Sequence, residues 1–148
     1  MVAYEDDDLF PAPREVLWRL LEDHLDDKKI VDIHPLIQSQ HTVSRSSDGV
    51  VVDRVIDVRR KLKKSRWKIV FSPPERARWE VLESEGPWTT GSYLETTYTE
   101  EGKSTRMRTR GDVTVMNLPF FLSQARTVRR VFTDIHTEDV WYLRRYRY

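Results

Sequence analysis

The stretch Leu118-Pro-Phe-Phe-Leu-Ser-Gln-Ala-Arg-Thr-Val-Arg-Arg-Val-Phe-Thr-Asp-Ile135 carries the strongest periodic signal in the chain. Leu118, Phe121, Leu122, Ala125, Val128, Phe132 and Ile135 recur at spacings of three and four, and Arg126, Arg129 and Arg130 fall opposite them. With 3.6 residues per turn, that spacing gathers the apolar side chains into one stripe and the guanidiniums into another. It predicts a long amphipathic helix from about Leu118 to about Arg145. Pro119 is tolerated in the first turn, where a backbone N–H has no intrahelical partner.

Upstream of this segment the apolar period is two, the signature of strands with one buried face. Strands are predicted at Leu36–Arg45, Val50–Arg60, Ser65–Ser72, Arg76–Glu83, Trp88–Thr99 and Ser104–Met116. Ser46-Ser47-Asp48-Gly49 and Glu100-Glu101-Gly102-Lys103 read as hairpin loops, with glycine able to take the positive φ of a tight turn. Pro73-Pro74 and Gly86-Pro87 break the run, since proline cannot donate to a central ladder.

The chain opens with a short strand, Val2–Asp8, and a turn through Pro11 and Pro13. Val16, Leu17, Leu20, Leu21 and Leu25 then repeat at helical spacing, so a helix is expected from Arg14 to His24, with His24 a solvated cation at its C-terminal end. A second short helix restarts at Asp26-Asp27 and stops at His34, because Pro35 disfavours helical geometry before it. A sheet with one apolar face must cover it, and the C-terminal helix is the element long enough to do so. The expected fold is α+β: one curved antiparallel seven-stranded sheet around a long C-terminal helix, with two short helices after the first strand, in a single domain spanning residues 1–148.

Composition narrows the function. Lys+Arg 25 against Asp+Glu 24 gives a net charge of +1, which argues against a nucleic-acid partner. The absence of cysteine excludes disulfides, thiolate metal sites and cysteine nucleophiles. Charged residues make up 33% of the chain, and a single Asn accompanies them, a balance like that of thermophile proteins. The acidic start, Glu5 to Asp8, is unlike a secretory signal, and no apolar run reaches the ~20 residues that cross a bilayer, so a cytoplasmic protein is expected. No G-x-S-x-G, P-loop, G-x-G-x-x-G or H-E-x-x-H pattern occurs, and neither a cofactor nor a metal ion is expected.

Four segments together are similar to those of a known superfamily. Ala12-Pro13-Arg14-Glu15-Val16-Leu17-Trp18-Arg19-Leu20-Leu21 resembles the AP-x-x-x-V-W-x-x-L opening of START-like helix-grip (SRPBCC) proteins, with Leu17 at a Val/Ile-type position. His34-Pro35 resembles their lead into the second strand. Ser72-Pro73-Pro74-Glu75-Arg76-Ala77, followed by Gly86-Pro87 through Gly91, resembles their PPER…G…G middle. Gly102-Lys103-Ser104-Thr105-Arg106-Met107 is similar to their G-x-G-T-x-V hairpin, with Lys103 and Ser104 replacing the usual middle residues. The superfamily includes pollen-allergen-like, polyketide cyclase/dehydrase and coenzyme Q-binding members. The resemblance implies a cavity for a small hydrophobic ligand, such as a lipid, an isoprenoid or quinone, or a polycyclic aromatic.

Strand and helix phase nominate the residues that face such a cavity: Trp67, Phe71, Trp79, Trp88, Leu94, Tyr98 and Met107 from the strands, and Phe121, Ala125, Val128 and Phe132 from the helix. His41 shares the phase of Ile37, Ser39 and Val43, which aims it inward. His136 follows the helical stripe by one residue, and structural satisfaction is the plainer role for both. Carriage of a ligand is one function this allows. An aromatase/cyclase-type reaction is the alternative, with His41, Tyr98 and Glu95 the side chains to test, although Glu95 lies in the opposite phase to Tyr98. A third is a partner-regulating module whose five tryptophans fill the hollow. The basic aromatic tail (Arg126, Arg129, Arg130, Arg144, Arg145 and Arg147 with Trp141, Tyr142, Tyr146 and Tyr148) suits a transient membrane-surface or protein contact, or simply a solvated face.

Overall fold

Residues 2–146 are described by the structure, a computed structural model. In chain order, β1 (Val2–Phe10) is followed by α1 (Arg14–His24) and the short α2 (Ile30–Ile33). Six strands come next: β2 (Ile37–Arg45), β3 (Gly49–Val58), β4 (Lys61–Ser72), β5 (Arg76–Ser84), β6 (Tyr93–Glu101) and β7 (Ser104–Val113). The last element is α3 (Gln124–Tyr146). Arg147 and Tyr148 of the basic tail lie outside the described residues, as does the side chain of Tyr146.

All seven strands join one antiparallel sheet in the order β1-β7-β6-β5-β4-β3-β2. Five hairpin connections build β2 through β7, and β1 closes the far side by pairing with β7 from Val2↔Val113 to Phe10↔Thr105. The two short helices fill the crossover between β1 and β2, so the sheet's edges are separated by α1 and α2.

Several boundaries differ from those predicted, three of them for a plain local reason. First, α3 begins at Gln124 rather than near Leu118. Ser123 caps it: its hydroxyl accepts the Arg126 N–H at 3.3 Å and its carbonyl accepts the Thr127 N–H at 3.0 Å. Before the cap, Leu122 N–H closes a turn on Pro119 O at 2.9 Å, and Asn117 sits at φ 56°. Leu118, Phe121 and Leu122 therefore matched the helical period while lying outside the helix. Second, β3 stops at Val58 and β4 starts at Lys61, because Arg59 and Arg60 both adopt positive φ, 52° and 69°, in a two-residue hairpin turn. Glycine and asparagine normally mark that turn, and neither is present. Third, β6 begins at Tyr93. Trp88 makes only an isolated bridge to Val115, and Gly91 takes φ 89° between them.

The core is continuous between the sheet and the helices. Leu17, Trp18 and Leu21 of α1 pack with Phe10, Ala77 and Tyr98, joined by Val140 and Leu143 of α3. Val128, Val131 and Phe132, nearer the N-terminus of the same helix, pack with Val81, Trp88 and Val113. Each fully buried Leu or Val contributes roughly 1.5–3 kcal/mol relative to exposure. The covering face of α3 thus lies further towards its C-terminus than the sequence stripe implied.

Candidate functional site

The inner face of the sheet is set by strand alternation. On β3, Val50, Val52 and Arg54 are all buried. On β4 the inward set is Ser65, Trp67, Ile69 and Phe71; on β5 it is Ala77, Trp79 and Val81. Leu94, Thr96 and Tyr98 continue it on β6, and Thr105, Met107 and Val113 on β7.

Most of the nominated residues come together there. Trp18 meets Phe71 and Tyr98 edge-to-face, at ring-centroid distances of 6.3 and 5.8 Å. Trp79 and Met107 pack against the same cluster. Trp88 stacks on Phe132 at 5.4 Å, beside Leu94, Trp67 and the buried Val128. Two surface depressions, of about 470 and 390 Å³, lie elsewhere. One is framed by Pro11–Glu15 and the β6–β7 turn, and the other lies on the outer face across β1, β7, β6 and β5.

Three nominated residues are not part of this face. Phe121 is 74% exposed in the turn before α3, and Ala125 is exposed in its first turn. His41 is exposed and pairs across β2–β3 with Asp53. Bulges in β2 between Ile37 and Ser39 and between Thr42 and Ser44 explain it. An extra residue inverts the phase, so Gln40 turns inward instead. Glu95 lies outward, 3.5 and 3.8 Å from Arg76 and Arg78. His136 is half-exposed, 3.4 Å from Asp8, with its ring against Phe10.

On the inner face of β3, next to the edge strand β2, sits a cation. Arg54 is buried; its Nε donates to Gln40 Oε1 at 2.7 Å, and its Nη2 has no hydrogen-bond acceptor among the described residues. Its guanidinium carbon lies 5.5 Å from the Trp67 ring centroid and 5.3 Å from that of Trp79. Burial pushes its pKa down to about 10. It therefore remains charged at neutral pH. The two indoles offset part of the desolvation cost through cation–π attraction, but a ring face is a poor substitute for an oxygen acceptor at the guanidinium edge. Gln40 is held in turn, its amide donating to His24 O at 3.3 Å and to Asp27 Oδ1 at 3.2 Å.

A second polar group lies on the other side of Trp79, whose ring centroid is 6.2 Å from that of His24. His24 Nε2 is 3.0 Å from His34 Nε2 and 3.0 Å from Asp139 Oδ1, and His34 Nε2 is 3.2 Å from the same oxygen. His24 is mostly buried here rather than solvated, because α3 passes over the end of α1. Burial opposes charge on His34, but Asp139 and Glu138 outweigh it and raise its pKa to about 9. Burial alone would raise the Asp139 carboxyl, yet the two imidazoles hold it well below the usual carboxylate range. Among the described residues, His24, His34 and Asp139 bring their donor atoms close enough together to hold a metal ion.

Neither Arg54 nor Asp139 was nominated from the sequence, though each leaves a trace there. Arg54 is a lone charge in the apolar phase of Val50 and Val52, and Asp139 falls four residues after Ile135 on the α3 stripe.

No protein-family model matches the chain, and no curated protein matches it by sequence. Solved structures do match it. Ara h 8.0201 superposes over 96% of this chain and 97% of its own, with a TM-score of 0.76 at 14% identity. A START superfamily protein from Mycobacterium smegmatis covers 93% of both chains, with a TM-score of 0.69 at 12% identity. The fold is the START-like helix grip. The di-domain aromatase/cyclase StfQ of the steffimycin biosynthetic pathway gives a TM-score of 0.75 at 14% identity over 94% of this chain. This helix-grip chain spans 48% of StfQ. The helix that grips is α3, and no helix among the described residues is long and apolar enough to cross a membrane.

Proposed function

We propose that this helix-grip protein binds a small, mainly apolar molecule between the sheet and its helices, and that the molecule carries an acidic or strongly hydrogen-bond-accepting head that meets Arg54. One observation carries the reading: a buried guanidinium with an unpaired Nη2, beside two indoles, on the inner face of β3. A buried unpartnered donor costs about 1–3 kcal/mol, and more when charged, so a core built for stability alone would place an apolar side chain there. A carboxylate or carbonyl oxygen on the ligand offsets that cost.

Trp67, Trp79, Phe71, Tyr98 and Met107 supply the apolar contacts, with Trp88, Leu94, Val128 and Phe132 at the other end. Admission requires these side chains to part. The short helices and the turns at Gly49, Pro73-Pro74 and Gly86-Pro87 are the elements placed to allow it. Burial of the ligand's apolar area, at ~25 cal/mol per Å², drives binding against the cost of ordering.

The test compares a fluorescent long-chain fatty acid with its methyl ester, titrated into the wild-type protein and into Arg54→Met. Acid binding at least about tenfold tighter than ester binding, a ratio lost in Arg54→Met, is the expected result, since a charge-assisted bond contributes roughly 1.5–3 kcal/mol. Failure to bind either probe, or equal affinity for both in the wild type, would sink the reading.

A second reading is an aromatase/cyclase-type reaction, supported by the superposition on StfQ. His41 and Glu95 face outward and cannot serve it, which leaves Tyr98 as the inward candidate, its phenol pushed well above its ordinary value by burial. Cyclisation of a synthetic polyketone, lost in Tyr98→Phe, would favour this reading over carriage. The exposed arginines of α3 with Trp141 suit a transient membrane-surface contact during loading.

A further inference from the structure

We propose that His24, His34 and Asp139 form a binding site for a divalent transition-metal ion, with zinc the expected occupant. The site is separate from Arg54 and does not depend on the ligand reading.

Two of the four ring nitrogens must carry hydrogen. His24 Nδ1 lies 2.6 Å from Leu20 O, a carbonyl that can only accept, so Nδ1 donates. His34 Nδ1 lies 3.2 Å from the Glu138 carboxylate and donates likewise. With both Nδ1 atoms committed, only the two Nε2 atoms are left to face each other and Asp139 Oδ1, at 3.0, 3.0 and 3.2 Å. Without a metal, the Nε2–H of the His34 ring is shared between His24 Nε2 and Asp139 Oδ1. A metal ion displaces that proton and bonds all three atoms at once.

The geometry fits that ion. Zinc bonds nitrogen and carboxylate oxygen at about 2.0–2.2 Å, so three ligands of a tetrahedral site stand about 3.3 Å apart, and those on one octahedral face about 2.9 Å. The observed separations fall between the two. An ion about 1 Å out of the plane of the three atoms reaches bonding distance of each. Two imidazoles with one carboxylate suit zinc and its transition-metal neighbours, not calcium or magnesium, which take oxygen ligands. The outer contacts match too, since a ligating histidine characteristically donates its other N–H to a backbone carbonyl or a carboxylate, as Leu20 O and Glu138 provide. The three side chains retain 11–21% exposure, so an ion can enter and water can complete its coordination. His24 ends α1, His34 caps α2 and Asp139 lies on α3, so the ion would tie the three helices together.

The experiment uses chelator-treated full-length protein, titrated with zinc chloride against a chromophoric competitor, with cobalt substitution and X-ray absorption on the zinc-loaded form. One tight site per chain is expected, with two imidazoles and one carboxylate around the metal and a raised melting temperature. Glu138→Gln should weaken binding about 10–100-fold by loosening the His34 ring, and Asp139→Asn should cost more than that. His136→Ala, whose ring turns away to Asp8 and Phe10, should bind as the wild type does. The proposal is overturned by the absence of a tight site, by undiminished affinity in Asp139→Asn, or by fewer than two imidazoles in the absorption spectrum. The spectrum decides the matter on wild-type protein even if a variant fails to fold.

Discussion

The hydroxyl of Tyr142 donates a 2.8 Å hydrogen bond to the buried carboxylate of Asp23, tying the last turns of α3 to the last turn of α1. Lys29 Nζ meets the other oxygen of that carboxylate at 3.2 Å. Around the bond, Leu20 and Ile33 pack against the Tyr142 ring, so water cannot replace a lost donor easily. Tyr142→Phe keeps the ring and removes only the hydroxyl. It should lower stability by about 1–3 kcal/mol, because a charged acceptor is left short of one donor. Urea unfolding followed by tryptophan fluorescence measures the shift in midpoint. A midpoint equal to the wild type's would show that Asp23 finds another partner.

The helix-grip order was legible because burial imposes period two on strands and 3.6 on helices, and that holds for β3 to β7 and for α1. Where it misled, a local device had interrupted the period. The β2 bulges turned His41 out and Gln40 in, and the Arg59-Arg60 turn lacked its usual residues. Phe121 fitted the α3 stripe by offset, yet the Ser123 cap leaves it in solvent. The polar centres were harder still, because they depend on contacts between distant elements. His24 reads as the end of an exposed helix until Asp139, 115 positions later, is laid across it.

Gly111 lies in β7 between Tyr4 of β1 and Leu94 of β6. A Cβ built there would run into Tyr93 O and fall 3.0 Å from the Leu94 Cα, both backbone atoms that cannot swing away. Gly111→Ala must therefore push β6 and β7 apart. A loss of at least about 1–3 kcal/mol is expected, at or above the usual cost of overpacking. Thermal unfolding by circular dichroism would register it as a lower midpoint. An unchanged midpoint would mean that the strands are not this close.

Asp27 fastens the α1–α2 connection to β2. Its carboxylate accepts from Thr42 N at 2.9 Å, Thr42 Oγ1 at 2.9 Å and Gln40 Nε2 at 3.2 Å. Burial acts to raise its pKa, but the bonds from Thr42 and Gln40, with a smaller Coulombic contribution from His41, hold it below its ordinary value. A folded-state pKa below the unfolded one stabilises the fold fully above the unfolded value, and that contribution fades as pH falls through the folded value. Neighbouring Asp26 is lowered too, mainly by the Lys29 N–H, so the acid limb has at least two contributors. Asp27→Asn should lower stability at pH 7 and flatten the decline below about pH 4. Denaturant midpoints at pH 7 and at several acidic values test both parts. An acid limb as steep as the wild type's would assign the acid sensitivity elsewhere.

Arg54 separates a requirement of stability from one of binding. Arg54→Met keeps the length and the indole contacts of the side chain but removes the buried charge and its unpaired Nη2. The cost is one hydrogen bond, leaving Gln40 Oε1 without its 2.7 Å donor, roughly 1–3 kcal/mol. The gain is relief of a desolvated cation with no ion-pair partner among the described residues, and replacing buried ions by apolar residues of similar volume is often neutral or stabilising by 1–4 kcal/mol. Gln40 keeps its two donations to His24 O and Asp27, so its position holds. The ligand-free variant should therefore unfold at a denaturant concentration equal to or above that of the wild type, while losing its preference for an acidic over an esterified probe. A variant that is several kcal/mol less stable would show that Arg54 is a structural cation, and the binding reading would lose its main support.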